Sequence, residues 1–525
     1  MAYGQSHRDG NGDDRNDDRD HTHASVSNLV FFGDSLTDNG NLFALTGIPP
    51  APFWHGRFSN GPTYAEQLPS LLGVPGGKVQ NYAYGGATSQ TTHAAQIDLG
   101  AQVQAYLTSL AGKHAPKGTE AVLYIGNNDY LNYDPTTGNP PPVQQVIAHI
   151  QSAITTLTSA SVGVDKVVLF TLPDFSITPA AQALDPALVA GANAIIDASN
   201  AALKALVAQD NAAGLHITIV DANVLGNAVA ADGHAFGLAD LSIPIIDQNN
   251  QFTGVTDVYA PNEIAFFNPI HPTFATAGIQ AAFAAATLDS DHVQLFTTGG
   301  ANYNAPDGSA FVFAVQGGNT FHAGNGTDII YAGNGNNTVY GGIGSDLIFA
   351  GGGGNHLYGG NGTSLLATNS GDNTEVGGRG EDILVANRSG NNTLTANGED
   401  NFIILKENAG AAVGHETISG HGETTLRFII NDQNPAAEQA LITEFNTVVA
   451  AYKASLHTNH YGTFTVDGIT ATGITGIQLQ VDSVDAHVPY QIDHTIVQSV
   501  GETPELHSAG QQLLHQASLW GLLTV

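Results

Sequence analysis

Hydrophobic residues in the first half of the chain form short runs, separated by longer segments with a helical period. Five runs end in turn residues and predict buried strands: NLVFFG, VQNYAYGG, AVLYIGNND, KVVLFTLPD and HITIVDA. One segment between them carries an apolar stripe of helical period: Val143, Val146, Ile147, Ile150, Ile154 and Leu157. Because continuous apolar strands alternate with helices, residues 28–286 are predicted to form an α/β domain with a parallel sheet covered on both faces.

Residues 317–404 follow a different pattern, a nine-residue repeat that holds 22 of the 62 glycines. Glycines at the first, second and fourth positions allow the positive φ angles of tight turns. The eighth position is apolar in six units and predicts a narrow core: Ile330, Val339, Ile348, Leu357, Leu366 and Leu384. Glu375 interrupts this column. Since one unit is half a coil, residues on the same side recur every 18 positions.

The sixth positions of the units separate into two columns of different chemistry. The first column is mainly acidic: Asp328, Asp346, Ser364, Asp382 and, 18 residues further on, Asp400. The second column contains amides: Asn337, Asn355 and Asn373. The units resemble the nonapeptide GGxGxDxUx of the RTX proteins, and this resemblance implies a parallel β-roll in a calcium-dependent exported protein.

Stacked carboxylates and turn carbonyls offer the oxygen ligands that Ca²⁺ prefers. We expect calcium between Asp328 and Asp346 and between Asp382 and Asp400. The Asn column is expected to be empty or held by an amide ladder. The alternative for the whole segment is a metal-free β-solenoid rich in Gly and Asn.

The charge balance narrows the possible partners. The chain has 525 residues, of which 47 are acidic and 14 basic, so its net charge is −33. So few cationic side chains disfavour nucleic acid and anionic membranes as partners, whereas divalent cations are favoured. Cysteine is absent, which excludes disulfides, thiol nucleophiles and zinc–thiolate sites. No apolar run approaches the roughly 18 residues of a transmembrane span.

Composition divides the remainder of the chain. Residues 1–27 are polar, lack the apolar segment of a secretory signal peptide and are predicted to be a disordered acidic tail. Residues 287–316 are predicted to link the α/β domain to the roll. Residues 405–525 regain an ordinary composition and predict a C-terminal α+β region that caps the roll. The RTX resemblance implies an uncleaved signal for type I export machinery there, and a simple capping helix is the alternative.

Four polar signatures lie where the α/β domain is expected to bind ligands, three of them directly after predicted strands. They place Ser35 in FFGDSLTDNGN, Gly86 in NYAYGGAT, Asn128 in YIGNNDY and His271 in FFNPIHPT. In this order the four segments resemble the GDSL (SGNH) hydrolase family, specifically its secreted lipase/lecithinase-like branch. The resemblance implies a three-layer, flavodoxin-like α/β fold with a mostly parallel five-stranded sheet.

The same resemblance implies serine acyl-enzyme chemistry that needs no catalytic cofactor. Ser35 is the expected nucleophile, and His271 is expected to accept its proton and return it to the leaving alcohol. The backbone N–H groups of Ser35 and Gly86 and the side-chain amide of Asn128 are expected to hold the oxyanion. Asp34 is expected to fix the turn before the nucleophile rather than to titrate.

One position departs from the family pattern DxxH, because Asn268 stands three residues before His271. An amide oxygen can accept the Nδ1–H bond but has no charge to stabilise an imidazolium, and a reversed amide selects the wrong tautomer. Three interpretations remain at this point. Another carboxylate, such as Asp257 or Glu263, approaches His271; a backbone carbonyl orients it in a Ser–His dyad; or the enzyme is crippled.

These features predict a secreted, extracellular carboxylic-ester hydrolase whose β-roll folds with Ca²⁺, acting on a small-molecule or lipid acyl ester. Short or medium acyl chains are the first expectation, with the loop Leu42–Phe58 as a possible wall of the acyl pocket. Two alternatives use the same residues differently. One is an acyltransferase that passes the acyl group to another alcohol. The other is a calcium-binding surface or adhesive protein with a vestigial hydrolase domain.

Overall fold

A computed structural model describes residues 26–90, 97–133, 139, 141–406, 414–431, 435–457, 462–484, 492–503 and 506–522. The tail predicted over residues 1–27 lies outside the described residues except for its last two positions. Among the helices of the described ranges, none is both long enough and apolar enough to cross a membrane.

The five predicted strands form one fully parallel sheet with the order β2–β1–β3–β4–β5. Their bounds are β1 (Asn28–Gly33), β2 (Val79–Asn81), β3 (Thr119–Tyr124), β4 (Lys166–Phe170) and β5 (Ile217–Val220). This strand order is that of flavodoxin-like folds, in which ligands bind where the order reverses. The predicted fold class is confirmed, and β1 and β3 bring their carboxyl ends side by side.

Helices cover both faces of this sheet, because successive strand side chains point in opposite directions. Phe31 packs edge-on against Tyr64 of one layer, whereas Phe32 packs against Tyr106 of the other. The helices of this domain are α1 (Asn41–Thr46), α2 (Tyr64–Leu71), α3 (Leu99–Leu110), α4 (Asn127–Leu131), α5 (Val143–Leu157), α6 (Pro179–Gln182), α7 (Pro186–Ala212), α8 (Ala222–Ala231) and α9 (Phe274–Asp289). The three-layer arrangement follows directly from this alternation.

The second half of the chain forms a β-roll of two facing sheets. The first sheet contains β6 (His292–Phe296), β8 (Ala310–Ala314), β10 (Ile329–Tyr331), β12 (Asp346–Ala350), β14 (Ser364–Thr368), β16 (Asp382–Asn387), β18 (Asp400–Lys406), β20 (Glu423–Asn431), β23 (Gly476–Val484) and β24 (Ile492–Gly501). The second contains β7 (Asn302–Asn304), β9 (Thr320–His322), β11 (Thr338–Tyr340), β13 (His356–Tyr358), β15 (Thr374–Val376), β17 (Asn392–Ala396), β19 (Glu416–Gly420), β21 (Phe464–Val466) and β22 (Ile469–Thr472). Strands pair in parallel except at β21–β22 and β23–β24.

The roll is longer than the glycine repeat, which corrects the predicted linker 287–316 and the predicted end at residue 404. The helix α9 ends at Asp289, and β6 already pairs with β8 from His292 onward. Beyond residue 404, β19, β20, β22 and β23 extend both sheets, while α10 (Pro435–Ser455) packs on the roll core through Phe445 and Tyr452. One strand of the roll needs only an inward apolar side chain and parallel pairing, so strands whose turns contain fewer glycines escape the nine-residue pattern.

One hydrophobic cluster contains side chains from both halves of the chain. Aromatic side chains on the outer face of the first roll sheet, among them Phe313 and Phe349, pack against Phe283 of α9 and against Trp520. Trp520 follows α11 (Ser508–Leu519) and is 1% exposed. The roll therefore supports α9, the helix that begins three residues after His271, a relationship that the sequence pattern did not predict.

Candidate functional site

The structure brings Ser35 and His271 into contact at the carboxyl end of the sheet. Ser35 Oγ lies 2.8 Å from His271 Nε2, although 236 positions separate the two residues. Ser35 follows β1 in a turn that Asp34 stabilises, since Asp34 Oδ1 accepts the Leu36 N–H at 3.1 Å. Asn127 Nδ2 donates to the other oxygen of this carboxylate at 3.2 Å. Burial raises the pKa of Asp34 to about 6.

Asn268 fixes the orientation of the His271 ring. Its Oδ1 accepts the backbone N–H groups of Ile270 at 3.0 Å and of His271 at 2.8 Å, and lies 3.1 Å from His271 Nδ1. Because backbone N–H groups can only donate, the oxygen and not the amide nitrogen faces the ring. Nδ1 therefore carries the hydrogen, and the lone pair of Nε2 faces Ser35. Burial lowers the pKa of His271 to about 4, so the ring is neutral at pH 7.

This geometry excludes two of the three interpretations of Asn268, the carboxylate and the backbone carbonyl. Glu263 instead accepts the Ala260 N–H at 2.8 Å through its Oε2, and Asp257 is exposed to solvent. The partner of Nδ1 is thus neither of the proposed carboxylates nor a backbone carbonyl, but the Asn268 amide oxygen itself. The site keeps the correct tautomer and lacks only the negative charge.

The three expected oxyanion donors border the same cavity as Ser35 and His271. Gly86 has φ +78°, a conformation that favours glycine and that its loop needs to turn its backbone toward the cavity. Asn128 Nδ2 donates one hydrogen to the Ala87 carbonyl at 2.9 Å. An amide nitrogen carries two hydrogens, so the second is left for an oxyanion.

Three further residues shape the site, and of these the sequence pointed only to Phe58, as the end of the loop Leu42–Phe58. Buried Asp38 accepts the Gly85 N–H at 2.8 Å and so ties the Ser35 loop to the Gly86 loop. Gln102 makes two hydrogen bonds to the backbone of Gly33. The Phe58 ring lies 5.1 Å from the His271 ring. Asp38 belongs to the segment FFGDSLTDNGN, which was the signal that could have identified it.

The cavity has a volume of about 720 Å³ and a mainly apolar lining. One wall is the first half of α7 with the residues just before it, including Gly191 and Ala192. The apolar side chains at its rim are exposed: Leu131, Leu184, Leu188 and Ile270. Of the predicted wall Leu42–Phe58, only Phe58 lines the cavity, while Phe53 packs against Phe267.

The acidic column of the roll follows the predicted register only as far as Asp382. Strand pairing aligns Asp328 with Asp346 through β10 and β12, and then Asp346 with Ser364 and Ser364 with Asp382. The next partner of Asp382 is Asn401, not Asp400. The unit 386–395 has ten residues and the following unit nine, so the column advances by one position. Asp400 instead lies near His507, 3.8 Å from its Nδ1.

Asp328 and Asp346 have the chemistry that a calcium ion requires. One oxygen of each accepts a backbone N–H, from Ala310 at 2.7 Å and from Gly342 at 3.0 Å. The other oxygen of each is buried without a hydrogen-bond donor. Burial raises the pKa of Asp328 to about 6, and burial together with the charge of Asp328 raises that of Asp346 to about 7. A cation bound by both carboxylates would remove this cost.

The predicted pair Asp382 and Asp400 fits less well. Both oxygens of Asp382 are already engaged, because Oδ1 accepts from Gly378 N–H and Ser364 Oγ at 2.9 Å, and Oδ2 accepts from the Asn397 and Gly398 N–H groups. Within the described ranges no three His, Asp or Glu side chains converge on one point, so further ligands would be turn carbonyls.

The second column is an amide ladder, one of the two predicted arrangements. Asn337 Nδ2 donates to Asn355 Oδ1 at 2.9 Å, and Asn355 Nδ2 donates to Asn373 Oδ1 at 3.0 Å. Asn392 extends the ladder at one end, where its Oδ1 accepts from Asn373 Nδ2. At the other end the backbone N–H of Asn319 donates to Asn337 Oδ1. Glu375, which interrupts the apolar column, accepts a hydrogen bond from Thr368 Oγ1 at 2.7 Å, and burial raises its pKa well above the usual range.

Comparison with known families agrees with both halves of this arrangement. Residues 29–282 match the family described as GDSL-like Lipase/Acylhydrolase. Residues 313–348 and 349–384 each match the family described as RTX calcium-binding nonapeptide repeat (4 copies). The two resemblances carried by the sequence motifs are thereby confirmed.

Individual relatives match part of the chain. The thermolabile hemolysin of Vibrio parahaemolyticus is 29% identical over 267 residues, which cover 48% of this chain and 61% of the hemolysin. The phosphatidylcholine-sterol acyltransferase of Aeromonas hydrophila is 33% identical over 168 residues, which cover 30% of this chain and 48% of the acyltransferase. The chain spans about half the length of these curated relatives. The crystal structure of a member of the lipolytic protein G-D-S-L family from Veillonella parvula aligns with 49% of this chain and 96% of its own, at 16% identity and a TM-score of 0.28.

Proposed function

We propose that this chain, which joins a GDSL-like lipase/acylhydrolase domain to RTX calcium-binding repeats, is a serine ester hydrolase. The observation that carries the proposal is the 2.8 Å contact between Ser35 Oγ and His271 Nε2, with the tautomer fixed by Asn268. A serine hydroxyl is a useful nucleophile only when such a base is in reach.

The reaction proceeds in two halves. Ser35 Oγ attacks the ester carbonyl while its proton passes to His271 Nε2, and the resulting oxyanion is held by Ser35 N–H, Gly86 N–H and Asn128 Nδ2. The intermediate expels the alcohol, which takes the proton from His271 and leaves an acyl group on Ser35. Water then attacks the acyl group with His271 as the base, and release of the acid restores the hydroxyl.

A lipid ester is the substrate class that the cavity supports best. The cavity of about 720 Å³ lies within the size range of ligand pockets, and its lining is mainly apolar. The exposed leucines at its rim, Leu131, Leu184 and Leu188, extend the apolar surface to the solvent. We therefore place the acyl chain along α7, which shifts the expectation from short acyl chains toward longer ones.

Calcium has a structural role in this proposal. Asp328 and Asp346 would hold an ion between adjacent rungs, and the ion would neutralise two buried carboxylates and so stabilise the roll. Because the roll packs on α9, its folding supports the helix that follows His271. Millimolar calcium favours the folded form by mass action. This chemistry fits a secreted protein that folds outside the cell, and export by type I machinery is part of the proposal.

An acyltransferase is the second candidate, because one relative is named phosphatidylcholine-sterol acyltransferase. The same acyl-enzyme serves both reactions, and only the acceptor differs. The protein can be supplied with a lipid ester and a sterol or glycerol, and the products can then be separated. A free acid indicates hydrolysis, and a new ester indicates acyl transfer.

A series of p-nitrophenyl esters from acetyl to palmitoyl tests the proposed hydrolysis. Wild-type protein should release nitrophenol in calcium buffer, and Ser35→Ala should not, whereas the exposed Ser152→Ala on α5 should match wild type. Gly191→Leu should selectively slow the longest esters, because Gly191 lines the cavity and a Cβ added there meets no atom within 4 Å, which leaves room for the new side chain to occupy cavity space. Nitrophenol release by the wild type that does not exceed the rate without protein would support the surface-protein alternative.

A further inference from the structure

A second group of polar side chains lies beside the site without lining the cavity. Ser89 is fully buried, and its backbone N–H donates to Asp129 Oδ2 at 2.8 Å. Its hydroxyl donates to Asp129 Oδ1, also at 2.8 Å. His149 of α5 approaches the same hydroxyl, with 3.2 Å between Nδ1 and Ser89 Oγ.

The direction of these hydrogen bonds shows that Ser89 is not a second nucleophile. An ionised carboxylate can only accept, so the single hydroxyl hydrogen of Ser89 points at Asp129. The Ser89 oxygen is then the acceptor for His149, whose Nδ1 must carry the hydrogen. A ring nitrogen that donates a hydrogen cannot remove a proton. His149, Ser89 and Asp129 therefore form a chain of hydrogen bonds, which we call the brace.

The brace joins the two segments that supply oxyanion donors. Ser89 lies three residues after Gly86, and Asp129 directly follows Asn128. A second link runs in parallel, because Asn128 Nδ2 donates to the Ala87 carbonyl at 2.9 Å. Oxyanion donors act only when they are held close to the final position of the charge, so a cross-link between their segments bears directly on rate.

We propose that Asp129 and Ser89 are positioning residues that hold Gly86 N–H and Asn128 Nδ2 at a common oxyanion position, with His149 anchoring the brace to α5. This inference rests on the proposed ester hydrolysis by Ser35. It assigns a role in the transition state to residues that do not touch the substrate.

Asp129→Asn is the first variant, because it keeps the shape and replaces one accepting oxygen by a donor that faces Ser89. Since the donors bind the oxyanion more strongly than the ground-state carbonyl, kcat should fall roughly 10- to 100-fold while KM stays within about twofold. Ser89→Ala keeps the backbone N–H bond and should give a smaller loss of the same kind. It also serves as the second variant should Asp129→Asn fail to fold.

The matched control is Asp291→Asn in the roll, where Asp291 Oδ2 accepts from Ser309 N at 3.0 Å and from Ser309 Oγ at 3.1 Å. This variant changes a carboxylate that accepts the same two kinds of donor but does not line the cavity, and it should keep the wild-type kcat. Unfolding midpoints of all variants show which losses reflect stability alone.

A double-mutant cycle with Asn128→Ala gives the decisive readout. If Asp129 acts by positioning the donors, the double variant should lose much less activity than the product of the two single losses. Losses that multiply, or an unchanged kcat in both Asp129→Asn and Ser89→Ala, would overturn the inference while Ser35→Ala still abolishes activity. Activity that survives in Ser35→Ala would instead refute the proposed function, so the two failures are distinguishable.

Discussion

Asn268 holds His271 by its amide oxygen, with 3.1 Å between Oδ1 and Nδ1. The Ile270 and His271 backbone N–H groups fix the direction of this amide, so that its oxygen and not its nitrogen faces the ring. A carboxylate would not need this orientation, because both of its oxygens accept hydrogen bonds. In a serine protease an Asn in the corresponding role costs roughly 10⁴ in turnover because the tautomer is wrong. Here the tautomer is right, and the missing feature is the charge alone.

Asn268→Asp should therefore increase kcat only modestly, by roughly 3- to 30-fold, because it adds charge stabilisation of the imidazolium without changing the tautomer. Steady-state kinetics on one p-nitrophenyl ester measures this gain. A thousandfold increase would contradict the account and show that the natural protein is nearly inert.

The pH dependence of kcat/KM should reflect the burial of His271. The ring must be neutral to accept the Ser35 proton, and burial lowers its pKa to about 4. Activity should then persist in mildly acidic buffer and fall as the pH drops through about 4, well below the usual His range of about 6.5. In Asn268→Asp the added negative charge raises the histidine pKa, so the acid limb should move to higher pH. An acid limb near 6.5 in the wild type would contradict the buried, neutral base.

Calcium binding should depend on Asp346 and not on Asp400. Calorimetric titration of Asp346→Asn should show one site fewer than wild type, whereas Asp400→Asn is the matched control with an unchanged count, because the register places Asn401 beside Asp382. Loss of a site in Asp400→Asn with no loss in Asp346→Asn would contradict the observed register.

Calcium binding should also release protons near neutral pH. The raised pKa values of Asp328 and Asp346, about 6 and about 7, mean that protons compete with the ion. These two groups stabilise the calcium-free roll at low pH, and this contribution is lost as the pH rises through 6 to 7. The apparent calcium affinity should consequently rise over the same interval, which titrations at several pH values can follow.

Trp520→Ala should destabilise the α/β domain and the roll together. The indole is 1% exposed and lies 5.3 Å from the Phe349 ring and 6.4 Å from the Phe283 ring of α9. Loss of so large a buried side chain costs about 3–5 kcal/mol. Urea unfolding should show a lower midpoint for both activity and secondary structure. The partly exposed Trp54 provides the control, and Trp54→Ala should shift the midpoint much less.

Much of the α/β half was predictable because its signals are local. Apolar runs gave the five strands, and parallel pairing brings their carboxyl ends to one edge, so Ser35, Gly86 and Asn128 had to lie close together. His271 joined them through its HPT segment. The orientation of the Asn268 amide was not predictable, since it depends on the backbone geometry of Ile270 and His271.

The sequence predicted that a β-roll forms, but not where the roll begins and ends or which residue pairs with Asp382. A single additional residue in the unit 386–395 moved Asn401 into the position expected for Asp400. Residues 287–316 contain three glycines, too few for the nine-residue pattern, although Gly300 and Gly308 still form turns with positive φ. The packing of Trp520 against α9 joins residues more than 230 positions apart, and no local pattern records such a contact.

In the proposed mechanism Ser35 carries the acyl group, and mass spectrometry of the protein quenched during turnover of a p-nitrophenyl ester can locate that group. The peptide containing Ser35 should gain the mass of one acyl group, and Ser35→Ala should gain none. An acyl group found on a different residue, or hydrolysis that continues in Ser35→Ala, would contradict this mechanism.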